Sequence, residues 1–95
     1  MSEIIKAGEN LFRELGFPPH EAEVLRMRSD LMAELRLWLR DEGLAEAGAA
    51  ERLGISLDKA THLIQGKWRS FGTEDLLALA AKAGMRVRIE FERTA

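Results

Sequence analysis

The sequence predicts a mainly α domain followed by one C-terminal β-strand, and three observations carry that prediction. Apolar residues recur at helical spacing from residue 21 to residue 42. Two short helical stretches meet at a glycine within residues 46–65. The last stretch, Met85 to Phe91, alternates apolar and charged side chains without a break. The expected layout is one domain in three parts: an N-terminal extension over 1–20, a helical body over 21–84 and the strand over 85–95.

Composition supports a single compact body. The chain has 95 residues, 46% hydrophobic and 32% charged, with only two prolines. This is enough for one core and too apolar for a disordered chain. Cysteine is absent, so disulfides and thiolate chemistry are excluded. His20 and His62 are the only histidines, and a zinc site built on them would need several carboxylates as well. No Ser/His/Asp arrangement, glycine-rich phosphate loop or metal-ligand spacing occurs, so neither an enzyme nor a bound cofactor is expected. No apolar run approaches the ~20 residues of a membrane span, and the opening MSEIIKAGEN does not read as a secretion leader. A soluble, cytoplasmic protein is the expectation.

Residues 1–17 suggest a short strand around Ile4 and Ile5, then a helical turn through Leu11, Phe12 and Leu15, ending at Gly16-Phe17-Pro18-Pro19. The proline pair suits a helix start, where the missing N–H is not needed. The long helix over about 21–42 places Val24, Met27, Leu31, Leu35 and Trp38 on one row. Leu25, Met32 and Leu39 form the next row, and Gly43 ends the helix. Met27 and Met32 are expected in the core. A short helix spans Ala45–Leu53 and stops at Gly54. Ser56 caps a second one, Leu57–Gln65, closed by Gly66. Thr73 is expected to cap a last helix that ends at Gly84, with Glu74 and Asp75 at its positive end. The final strand needs a ladder partner, either the N-terminal segment or the same strand of a second copy.

Charge is unevenly spread around a net −2. Residues 1–54 carry eleven acids against seven bases, residues 55–72 carry one acid against three bases, and residues 73–95 balance. The short cationic stretch suits a local phosphate contact.

Glu46–Gln65 is the informative segment. Two helices crossing at a wide angle need a small residue at the crossing, met by Ala50. They need a residue tolerant of positive φ in the turn, met by Gly54 four positions on. They must also share an apolar face, met by Ala49, Leu53, Ile55, Ala60 and Leu63. That spacing is the one found in DNA-binding helix-turn-helix units.

The stretch from Gly43 to Trp68 (GLAEAGAAERLGISLDKATHLIQGKW) resembles the Xre-type helix-turn-helix of phage repressors. With Gly8–Phe17, Phe71–Gly84 and the closing MRVRIEF, nearly the whole chain is similar to a compact group of HigA-like bacterial antitoxins. The resemblance implies a lambda-repressor-like fold and a homodimer on a palindromic operator of double-stranded DNA. It also implies neutralisation of a RelE-like toxin and nucleoid association when DNA is bound. By that likeness the DNA-binding candidates are Glu46, Ser56, Leu57, Asp58, Lys59, Thr61, His62, Lys67 and Arg69. The chain departs from the family pattern at Ala45-Glu46 and at Leu57-Asp58. Glu46 stands where glutamine is usual and would face phosphate charge, and Asp58 can only accept, for example from a cytosine amino group. Lys59, Lys67 and Arg69 are phosphate candidates, while Leu57 can touch a thymine methyl. Trp68 reads as packing, and Arg86 and Arg88 as the polar side of the strand. The alternative reading is a protein-interaction antitoxin that keeps the frame and no longer reads DNA.

Overall fold

The computed structural model describes residues 11–93 and is helical throughout its ordered elements. In chain order these are α1 (Leu11–Glu14), α2 (Pro19–Asp41), α3 (Glu46–Leu53), α4 (Leu57–Ile64), a single 3₁₀ turn (Trp68–Ser70) and α5 (Thr73–Lys82). The expected helices are all present. Pro19 opens α2 behind Pro18, as the missing N–H of the pair allows.

The core lies where α3, α4 and α5 wrap the C-terminal half of α2. Leu35, Leu53, Leu63 and Leu76 are its largest fully buried side chains, with Met32, Leu39, Phe71 and Leu79 around them. Partial desolvation of Trp38 and Trp68 extends this cluster outward.

One row of α2 departs from expectation. Met32, Leu35 and Leu39 are buried, but Val24 and Met27 are exposed, so Met27 is not a core residue. Length explains it. At ~1.5 Å per residue, 23 residues reach about 35 Å, whereas α3 and α4 have eight residues each and α5 has ten. The short helices cover one half of α2 and leave the other to α1. There an aromatic chain ties the N-terminal residues to the body: Phe12 meets Phe17 edge-on at 6.1 Å and Trp68 at 5.4 Å.

The cap of α5 also differs. Gly72, not Thr73, occupies the N-cap position, and its N–H donates to Asp75 Oδ2 at 3.0 Å. The Thr73 hydroxyl is instead buried with no hydrogen-bond partner. Only the return bond of a capping box is therefore made, the carboxylate at the third helical position accepting from the cap N–H.

The C-terminal β-strand is not formed. Among the described residues there is no strand, and Met85–Phe91 carries no ladder. Met85 is anchored, its N–H donating to the Ala80 carbonyl at 2.9 Å and its side chain packing on the core. Beyond it, Val87, Ile89 and Phe91 are exposed by 40%, 60% and 92%. The alternating pattern is real, but a strand exists only by pairing. The proposed N-terminal partner around Ile4 and Ile5 falls outside the described residues.

Candidate nucleic-acid interface

The α3–α4 elbow is built by local chemistry that the sequence spells out. Gly54 takes φ +64° and ends α3, its N–H and that of Ile55 converging on the Ala50 carbonyl. The left-handed residue turns the chain within one step, and a β-carbon here would be strained by φ alone. Ser56 then caps α4, its Oγ accepting from the Lys59 N–H at 3.1 Å. Gly66 closes α4 in the same left-handed conformation, and the Lys67 N–H reaches back to the His62 carbonyl at 2.9 Å.

The inner faces of both limbs are sealed. Ala49 and Leu53 from α3 meet Ala60 and Leu63 from α4, all fully buried, with Ile55 and Ala50 partly covered beside them. Small residues at 49, 50 and 60 let the two backbones approach. At 100° per residue, Asp58, Thr61, His62 and Gln65 fall opposite Ala60 and Leu63. Asp58 and Gln65 are exposed, Thr61 and His62 half-buried, and Leu57 at the N-terminal end is 57% exposed. The outer limb therefore exposes Leu57, Asp58 and Gln65, with Thr61 and His62 partly covered between them. In a helix-turn-helix, that side of the second helix is the one that enters a major groove.

The individual candidates differ in how free they are. Lys59 is engaged within the chain: its ammonium donates to the Ser70 carbonyl at 2.9 Å and stands 4.9 Å from the Phe71 ring centre. Thr61 spends its hydroxyl on the Leu57 carbonyl at 3.0 Å. The His62 Nδ1 is buried without a partner. Arg69 lies over the Trp68 ring at 5.2 Å, and Trp68 itself packs on Phe12, in keeping with a packing role. Lys67 is exposed just past α4. Glu46 is exposed in the first turn of α3, where the helix dipole favours an acid. Its carboxylate thus has a structural reason that is independent of any ligand.

Two residues escaped the sequence reading. Gln65 shares the outer side of α4, seven positions after Asp58, a spacing that was legible. Arg36 of α2 lies against the end of α4, its Nη1 only 3.0 Å from where a Gly66 β-carbon would sit. That approach joins residues thirty positions apart and leaves no local signal. Together with Lys67 it places two cationic side chains at the C-terminal end of the outer limb.

The sequence profile of one protein family, described as a helix-turn-helix domain, matches residues 11–92. The chain belongs to the helix-turn-helix domain family. No curated protein and no solved structure matches it. The matched span starts with α1 and takes in the unpaired C-terminal segment, so the helix-turn-helix domain is more than the elbow. No helix of the described residues is long and apolar enough to cross a membrane. Nor does any group of three or more metal-ligating side chains come together among them.

Proposed function

We propose that this helix-turn-helix protein is a sequence-specific DNA-binding repressor of the Xre type. It acts in the bacterial cytoplasm as a dimer on a palindromic operator, as the antitoxin of a type II toxin–antitoxin pair. The observation that supports this reading best is the outer side of α4, where Leu57, Asp58 and Gln65 are exposed while the inner side is locked by Ala60 and Leu63. A groove-reading helix needs both properties at once. Two such helices in a symmetric dimer would enter successive major grooves about 34 Å apart. Lys67, Arg69 and Arg36 would supply phosphate contacts, and Leu57, Asp58, His62 and Gln65 base contacts.

The test is fluorescence anisotropy on DNA from upstream of the protein's own gene. Binding at low salt that weakens steeply as salt rises is expected. No binding at the lowest salt removes the repressor reading. The antitoxin role predicts a small, basic, RelE-like reading frame next to the gene and a stable complex of the two products.

A second reading has its own support. Asp58 sits at the centre of the outer side of α4, Glu46 is exposed, and the Lys59 ammonium is engaged by the Ser70 carbonyl. These features favour a protein-interaction module that retains the frame without reading DNA. It predicts a toxin complex with no DNA shift by the parent. Glu46→Gln with Asp58→Gln should then create binding, since two repulsions toward phosphate are removed.

A further inference from the structure

Residues 86–92 carry four charged residues in the order Arg86, Arg88, Glu90, Glu92, with Val87, Ile89 and Phe91 between them. Arg88 and Glu90 form an ion pair, which requires side chains at i and i+2 to share one side of the backbone, as along a strand. Apart from that pair, residues 86–93 make no hydrogen bond among the described residues, and their apolar side faces solvent. Such a segment presents unpaired backbone donors and acceptors together with an apolar stripe.

We infer that this segment is a self-complementary strand that pairs antiparallel with the same segment of a second copy, centred on Ile89. The charge order selects both partner and register. Directly opposed residues of an antiparallel pair lie on the same side of the ribbon. Centring on Ile89 sets Arg88 against Glu90 and Arg86 against Glu92, each pair occurring twice by symmetry. On the other side Val87 meets Phe91 and Ile89 meets its own copy. Centring on Val87 opposes Arg86 to Arg88, and centring on Phe91 opposes Glu90 to Glu92. Centring on Arg88 or on Glu90 sets that residue against itself. A parallel arrangement with residues level opposes every charge to its like. Only the register centred on Ile89 opposes opposite charges at all four positions. The anchor at Met85 would then fix one helical body to each strand of the ribbon. The inference specifies the dimer that the proposed function assumes, yet it stands on the tail alone and is tested without DNA.

Sedimentation equilibrium on the full chain tests it with two charge variants. One is Arg86→Glu with Arg88→Glu, which makes every charge within residues 86–92 acidic. The other is Glu90→Arg with Glu92→Arg, which makes every one of them basic. Each alone should self-associate about tenfold or more weakly than the parent, and an equimolar mixture should recover a heterodimer. Position 89 adds an independent reading, because the parent has no cysteine. Ile89→Cys faces its own copy at ~5 Å between Cα atoms, within disulfide range, and should cross-link under mild oxidation. Arg86→Cys, about 20 Å from its copy in this register, should not. A monomeric parent overturns the inference, as would pairing of the strand with the chain's own N-terminal segment. So would charge variants that dimerise like the parent, since the interface would then lie on another face. DNA binding by a chain that fails these tests would leave the repressor reading intact and remove only this interface.

Discussion

The elbow and the C-terminal segment carry equally regular sequence patterns, yet only one of them is a finished structure. Between Glu46 and Gln65 every signal is answered inside the chain: small residues meet small residues, Gly54 turns, Ser56 caps, and four side chains reach full burial. Between Arg86 and Glu92 the alternation is as strict, but the apolar side stays in water. Periodicity states which sides of an element differ. It does not state what covers the apolar one. A helix satisfies its own backbone and needs a neighbour only for its stripe, while a strand needs one for both.

The largest effect that can break this comparison comes from truncating matched side chains. Leu63→Ala empties a fully buried site between α4 and the core. It should destabilise the chain by about 2–5 kcal/mol in chemical denaturation. Phe91→Ala, measured at a concentration where the chain is monomeric, should change stability by no more than about 0.5 kcal/mol, because its ring is 92% exposed. A large loss from Phe91→Ala would mean that the tail folds onto its own body. The same variant at high concentration should weaken self-association, which separates the two regions by what they need rather than by how apolar they are.

Next in size is the turn. Gly54→Ala places a side chain at φ +64° in open surroundings, the nearest atom being the Lys82 ammonium at 3.9 Å. Strain in the backbone alone sets the cost, about 1–2 kcal/mol by thermal melting. If the loss is this size and DNA affinity is unchanged, the elbow keeps its angle and loses only stability. If affinity falls further than stability, the turn also aims α4.

Much of the elbow was legible because its constraints are local. Ala50, Gly54 and Ser56 act within a few residues of themselves, so spacing alone identified them. The exposure of Met27 was not legible, since it depends on the shorter helices ending before the long one does. Arg36 was missed for a related reason: its place beside Gly66 is created only when α2 and α4 pack. Lys59 was found as a cation, but its engagement with Ser70 and Phe71 depends on the 3₁₀ turn folding back beside it. Residue types thus gave the elbow's frame, while the freedom of each charge on it followed from tertiary contacts.

The smallest effects concern two hydroxyls at two helix starts. Ser56 Oγ accepts a backbone N–H at the head of α4, so Ser56→Ala should lose about 1 kcal/mol. Thr73 Oγ1 lies buried at the head of α5 and bonds to nothing, because Gly72 and not Thr73 stands at the cap position from which a hydroxyl reaches a first-turn N–H. Burying an unpaired hydroxyl is unfavourable, and valine has nearly the same shape without it. Thr73→Val should therefore leave stability unchanged or raise it by up to about 1 kcal/mol in urea unfolding. Valine is a slightly poorer choice in the first turn of a helix, which keeps the expected gain small. A loss comparable to that of Ser56→Ala would show that Thr73 has a partner after all, and would return the cap of α5 to the position the sequence first suggested.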